Sequence, residues 1–429
     1  MRSLAGLLLL ACAAAAGAGG AGAGEAGAGA GAEDDDSAAL ALPGVNGPPA
    51  AAPGALAMSA EAALTAAARR LGGSVDEQRL SLDIRYDALL APGWRAIVAD
   101  RLDLDWAGAF DRDQQINTLK EAYLNWQPQS SLLLDAGRIN VRQGVAYGYN
   151  PTDFLRVGAL RTIDSLDPDS LRENRFGTVM LRGQTLWAGG SLTMLYAPQL
   201  PARPTAAAFD PDLGATNAQS HWMVALSQRI VPNLTPQWLL FGVGSGAPQL
   251  GLNLSSTLGA STVAYVEVSG GRMPSSLQQA LAQPGDAAIR SRLASGLTYS
   301  APNKLSLTIE YEYDGAGLSR DAWSALQQGN PAVYGRYREF LGVQQDPPTQ
   351  RGAFLYLTWQ DLVLRHLDLT AFTRVDLCDH SGLPWAELRY HWSHIDAAVR
   401  WQNYLGSTTS DYGASPTGQT WQALLDYYL

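Results

Sequence analysis

Between Asn140 and Asn174 the chain gathers Arg142, Arg156, Arg161 and Arg172 among Asp153, Asp164, Asp167, Asp169 and Glu173, with Tyr147, Tyr149 and Phe154 interleaved. A guanidinium fork grips carboxylate or phosphate at two points, and an aromatic face can stack against a sugar-like ring. Folded into a pore, such a segment would set up a transverse field that sorts solutes by charge. Placed outside, its charges would pair with each other and with lipopolysaccharide. The residues alone leave both readings open, but a link this long is uncommon unless it has a job. In the lumenal case, replacing Arg142 and Arg156 by Ala should shift charge preference.

A second set of ionisable residues is distributed by period. Glu310 and Glu312 alternate with Ile309, Tyr311 and Tyr313; Arg374 and Asp376 alternate with Val375 and Leu377; Glu387 and Arg389 alternate with Leu388 and Tyr390; Arg400 lies between Val399 and Trp401. A strand sends successive side chains to opposite faces, so each of these segments separates an apolar environment from a wet one. Together with the long link they form the candidate pore lining. Mixed signs on the wet face argue for weak charge selectivity.

Catalytic constellations are poorly supported. Gly242-Val243-Gly244-Ser245-Gly246 lacks the glycine two residues before Ser245 that a nucleophile elbow requires. A membrane-embedded lipase or deacylase would need a Ser and a His on neighbouring strands, and the late-wall His391 and His394 read as chance placement. Asp376, Cys378, Asp379 and His380 crowd one turn, which rarely encloses a metal. No phosphate-binding or dinucleotide fingerprint is present. The expectation is a protein that is not an enzyme and uses no cofactor.

Stepping the same alternation along the chain gives candidate strands at 79–89, 94–106, 117–127, 131–139, 175–184, 189–198, 219–230, 234–243, 248–257, 260–269, 291–300, 303–313, 350–359, 366–377, 383–392, 394–404 and 418–429. That is seventeen, and a closed single-chain bacterial barrel wants an even number. The fold expected is all-β: a closed antiparallel transmembrane β-barrel of about 16 strands, with 14 to 18 admissible. The first strand and the 237–257 region carry the weakest signals. Short and long links alternate, as in barrels with short periplasmic turns and long extracellular loops. Asp100 breaks the pattern by falling in phase with Val98, Leu102 and Leu104. Either a bulge shifts that strand's phase or the residue lies near an interface.

Composition agrees. Residues are 46% hydrophobic and 16% charged, yet beyond residue 30 no run is long and apolar enough for a transmembrane helix. The 40 acidic against 30 basic residues, without a basic block, argue against nucleic-acid binding. Residues 1–24 read as a signal peptide: Arg2, then an apolar stretch, then small residues. Cys12, after Leu9-Leu10-Ala11, is a candidate lipidation site. Residues 25–58 read as a disordered Ala/Gly/Pro-rich spacer, 59–73 as a short helix capped by Ser59 and stopped by Gly72, and 78–429 as the barrel.

The hairpin from Leu119 to Gly144, with Glu121-Ala122-Tyr123 on one strand and Gly137-Arg138 on the next, resembles one near the start of outer-membrane porin-like and polysaccharide-export-like barrels. The likeness extends loosely to Tyr149–Phe154. Trp421, Ala423, Leu425 and Tyr427 resemble a barrel-assembly signal, although Leu429 stands where an aromatic is usual. The resemblance implies a channel for passive diffusion or export of small hydrophilic solutes. It further implies contact with outer-membrane lipid, lipopolysaccharide and the assembly machinery, and leaves open whether three copies associate as a homotrimer. A structural or adhesion barrel without an open pore is the alternative, and a lipid-modifying enzyme a distant third.

Overall fold

The computed structural model describes residues 56–107, 114–201, 207–283 and 285–429. The signal peptide, Cys12 and nearly all of the spacer lie outside the described residues.

Eighteen strands form one sheet: β1 (Leu56–Arg69), β2 (Ser74–Ala91), β3 (Trp94–Ala107), β4 (Gln114–Gln129), β5 (Leu132–Ile139), β6 (Thr178–Trp187), β7 (Gly190–Ala197), β8 (His221–Gln228), β9 (Gln237–Val243), β10 (Gln249–Leu258), β11 (Thr262–Met273), β12 (Ala288–Ser300), β13 (Leu305–Asp314), β14 (Arg351–Trp359), β15 (Leu367–Asp376), β16 (Gly382–His391), β17 (Ile395–Asn403) and β18 (Thr417–Tyr428). Each pairs antiparallel with its neighbours in sequence, and β1 pairs with β18, so the sheet closes into a barrel without edges.

All seventeen expected strands are present, and the even count is restored by an eighteenth. The segment read as a helix at 59–73 is β1. Seven alanines between Ala57 and Ala68 give it high helix propensity, but tertiary pairing overrides that preference. Ala62, for example, lies opposite Leu80 on one side and Leu425 on the other. Glu61, Ala63, Thr65 and Ala67 point inward, and Ala63 packs with Ala398 and Leu424.

The wall is two-faced. Leu82, Ile84, Val98, Leu181, Met194, Leu250, Leu297, Ile309, Leu355 and Val399 are exposed on the outside. Tyr86, Trp94, Trp126, Trp187, Tyr299 and Trp392 ring the end that carries the two-residue turns 92–93, 130–131 and 188–189. Trp94 and Trp126 stack there with centroids 5.3 Å apart. Trp106 and Tyr196 lie toward the opposite end, where the described parts of the long links, 140–177, 198–201, 207–220, 274–283, 285–287, 315–350 and 404–416, gather.

Asp100 remains on the outer face, midway between Trp94 and Trp106. The register break falls between Ala99 and Asp100, but the extra residue is Lys120 on β4. Lys120 and Glu121 consequently both face inward while β3 keeps its phase. Asn117 Nδ2 donates to Asp100 Oδ2 at 2.7 Å, which offsets part of the cost of an outward carboxylate.

Candidate pore and its inner loop

The 140–177 link turns into the barrel and lies along its inner wall. Its first attachment is apolar: Val141, Leu155 and Phe154 pack on the inward side chains of β5–β9, among them Ile139, Met180, Leu195, Met223, Leu239 and Phe241. Phe154 stacks on Phe241 at 4.5 Å. The inside of that part of the wall therefore carries an apolar core.

Two wall carboxylates staple the next stretch. Glu267 on β11 accepts from the backbone N–H of Val145 (2.8 Å), Ala146 (3.1 Å) and Thr152 (2.7 Å), and from the Thr152 hydroxyl (2.9 Å). Glu310 on β13 accepts from the N–H of Tyr147 (2.9 Å), Gly148 (3.1 Å) and Tyr149 (3.0 Å), and from the Tyr265 hydroxyl (2.7 Å). Backbone amides buried inside a barrel need acceptors, and carboxylates make strong charge-assisted ones. Glycine is required at 148, because a Cβ there would lie 2.6 Å from the Phe354 ring.

The link then crosses to the far wall. Arg79 Nη1 lies 2.7 Å from Asp164 Oδ1 and Arg101 Nη2 3.2 Å from Asp164 Oδ2, while Arg400 Nη1 donates to the Asp164 carbonyl at 3.1 Å. Arg79 and Arg101 are held in turn by Glu61, and Arg101 by Asp103. This clasp lies between two chambers with mostly polar linings, both of which Arg400 lines. The chamber toward the long links, about 340 Å³, has Thr65, Glu77, Arg79, Asp105 and Ile163 in its wall. The chamber toward the short turns is about 230 Å³. The short helix α1 (Pro168–Glu173), capped by Asp167 accepting from Ser170 N–H, brings Asp167, Asp169 and Glu173 to that second chamber. Its wall side carries Glu61, Asp83, Asp368, Glu387 and Asp426. Eight carboxylates thus line it, of which Glu61 pairs with Arg79, Asp83 with Lys120, and Glu387 and Asp426 with Arg389 or Arg400.

Among the sequence-derived candidates, Asp164, Glu387, Arg389 and Arg400 line these chambers. Glu387 is gripped by Arg400 (2.7 Å) and Arg389 (2.8 Å), and Arg389 also reaches Asp426. Several others are structural. Glu310 is consumed by the loop amides, and Glu312 is buried facing Gly148 and Gly352. Arg374 donates to the Gly148 carbonyl at 2.6 Å over the Phe354 ring. Asp376 accepts from Thr349 Oγ1 and from the N–H of Cys378 and Asp379, fixing the 377–381 turn. Asp153 pairs with Arg175 at 2.7 Å. Arg161 donates to the carbonyls of Asp210 and Ala207, and Arg172 to that of Gln143. Tyr147 stacks on Tyr356 at 5.5 Å, and Tyr149 is buried beneath Arg156. Both rings are engaged in internal packing. Arg142 is exposed.

Arg156 is buried and ion-paired to Asp346 of the 315–350 link. Burial pushes the Asp346 carboxyl up, yet Arg292 and Arg156 outweigh it and hold it below the usual carboxylate range. Arg156→Ala should therefore lower the stability of the folded barrel by about 1–3 kcal/mol, read from its urea midpoint, and leave charge preference where it was. A shift in preference is expected from Arg142 alone.

This eighteen-stranded antiparallel barrel, apolar outside and lined with paired charges around an inwardly folded loop, has the closed-barrel form in which a chain can cross an outer membrane with strands. Solved structures from Pseudomonas aeruginosa resemble it in fold. OpdO aligns with a TM-score of 0.53 at 10% identity, over 87% of this chain and 96% of that one. The outer membrane protein opdK aligns at 0.52 and 8%, over 87% and 99%. OccK2 (OpdF), in complex with glucuronate, aligns at 0.52 and 12%, over 87% and 95%. The likeness at these identities is one of fold. No protein-family model matches the chain, and no curated protein does.

Proposed function

We propose that this chain is an outer-membrane channel for passive diffusion of small hydrophilic solutes, with the short turns in the periplasm and the long links outside. The observation that carries this reading is the pair of charged chambers on either side of the Asp164 clasp, inside a wall whose outer face suits hydrocarbon. The glucuronate complex of the similarly folded OccK2 (OpdF) supports solutes of single-sugar size. Planar-bilayer recording in KCl tests it: discrete conductance steps are expected, and a silent, correctly folded barrel would exclude a channel. The clasp favours one other reading, a structural barrel held permanently shut, and the same recording separates the two.

Acidification should be visible in such recordings. Burial, with Asp167 beside it, pushes the Asp169 carboxyl up to about 6 despite Arg172 and Arg142. A carboxyl with a raised pKa is charged above that value and neutral below it. Between about pH 7.5 and about pH 5 the chamber loses negative charge, so the reversal potential in a KCl gradient should move in the anion direction.

A further inference from the structure

At the mouth that carries the long links, the inner loop and the 315–350 link enclose a pocket of about 520 Å³, and its use by a solute rests on the channel reading. Leu160 and Ile163 line it from the inner loop, and Gly342 and Val343 from the helix Pro331–Gln344 of the other link. The lining is mainly apolar, and Ile163 and Val343 are 58% and 51% exposed. Apolar side chains left bare on both sides of one cleft mark a place that receives something apolar. Gly342 widens the same cleft. Glycine weakens a helix interior relative to alanine, and close packing is the usual reason to keep it there. A Cβ at 342 would meet no atom within 4 Å among the described residues, so crowding does not call for glycine at this position. What the missing side chain leaves is room in the pocket.

The pocket adjoins the chamber of about 340 Å³ on the long-link side of the Asp164 clasp, and Thr162 and Ile163 line both cavities. The chamber is polar where the pocket is apolar. Thr65, Thr417, Thr420, Gln402 and Gln422 bring it hydroxyls and amides, beside the carboxylates of Glu77 and Asp105. Its two guanidinium groups are already engaged, Arg79 by Glu61 and Asp164 and Arg400 by Glu387. Sugar hydroxyls both donate and accept, which suits such a lining. A sugar acid would instead bring its charge beside Glu77 and Asp105, with both cations spoken for. We propose that the two cavities form one site for a neutral glycoside. The sugar ring sits in the chamber, and an alkyl or aryl aglycone of single-ring size rests in the pocket between Ile163 and Val343. A free sugar fills the inner part alone, and a hydrocarbon ring the outer part alone.

The test uses the full-length barrel in planar bilayers, with its KCl current titrated by phenyl glucoside, methyl glucoside, glucose and phenol added to both sides. Phenyl glucoside is expected to block saturably at about tenfold lower concentration than methyl glucoside, the gain when roughly 60 Å² of apolar surface leaves water. Glucose should resemble methyl glucoside, and phenol should block least. Gly342→Leu puts a side chain into the open space of the pocket and should bring phenyl glucoside to the methyl glucoside level. Ile163→Ser, at an exposed position, should do the same by making the lining polar. Equal block by the two glucosides in the parent overturns the site, as do two variants that still separate them like the parent. Phenol acting at the phenyl glucoside concentration overturns it as well, since the sugar would then contribute nothing. A barrel that conducts KCl but ignores all four solutes removes the site alone. One that passes no KCl removes the channel reading with it.

Discussion

Replacing both Glu267 and Glu310 by Ala should free the inner loop from the wall and raise single-channel conductance severalfold. The two carboxylates take six backbone N–H groups and two hydroxyls between them. Each buried donor left without an acceptor costs about 1–3 kcal/mol, so the stapled arrangement of residues 145–152 would no longer be the favoured one. Water can enter a barrel and satisfy those amides only if the stretch moves into the bore's hydrated part. The apolar contacts of Val141, Phe154 and Leu155 would keep the base of the link attached. The double variant should therefore show a larger but noisier conductance, together with new protease sensitivity between 143 and 153. Glu→Gln at either position keeps one acceptor oxygen and should fall between. Parent-like conductance and protease resistance in the double variant would mean that the staples do not hold the loop.

Asp164→Ala is the second large effect. In the parent, the crossing is fastened by the pairs from Arg79 and Arg101. Without the carboxylate, the backbone contact from Arg400 is the one polar tie left at this residue among the described residues. The two chambers should merge, conductance should rise, and preference should move toward anions because two guanidinium groups lose part of their neutralisation. Glu61 and Asp103 still hold those Arg side chains, so the barrel should fold normally, with the same β-sheet circular dichroism as the parent. If the variant conducts as the parent does, the narrowing lies elsewhere.

Much of the wall was legible because its chemistry repeats every second residue. β13 and β15 to β17 alternate so cleanly that the inward positions of their charged residues follow from the sequence. β1 was not legible: its outward positions Ala60, Ala62, Ala66 and Ala68 are small, its sole ionisable inward residue is Glu61, and Ala runs mimic a helix. Two helices in the 315–350 link carried signals that went unread. α2 (Arg320–Gln327) is capped by Ser319, and α3 (Pro331–Gln344) by Asn330 with proline in its first turn. The inner loop was located as the place to look, but its partners could not be found from spacing. Glu267 lies more than a hundred residues from the amides it binds, and Glu61, Arg79 and Arg101 converge on Asp164 only through ring closure. Nothing local marks a carboxylate as a staple or as a lining residue. Glu310 and Glu387 occupy equivalent inward positions and serve the two different ends.

The seam between β1 and β18 bears on the order of assembly. Across it Gln422 Nε2 donates to Thr65 Oγ1 at 2.9 Å, although the two lie 357 residues apart. Chain entropy grows only logarithmically with such a span, at about 0.6 kcal/mol per doubling, so the ring costs on the order of 4 kcal/mol more to shut than one tight hairpin. The heavier constraint is topological. A segment of nearly forty residues must already be on the concave side when the first and last strands zip together, because a finished ring offers it no sideways entry. Synthesis order helps, since that segment emerges long before β18. The growing sheet can curl around its own filling, and the final zippering traps it there.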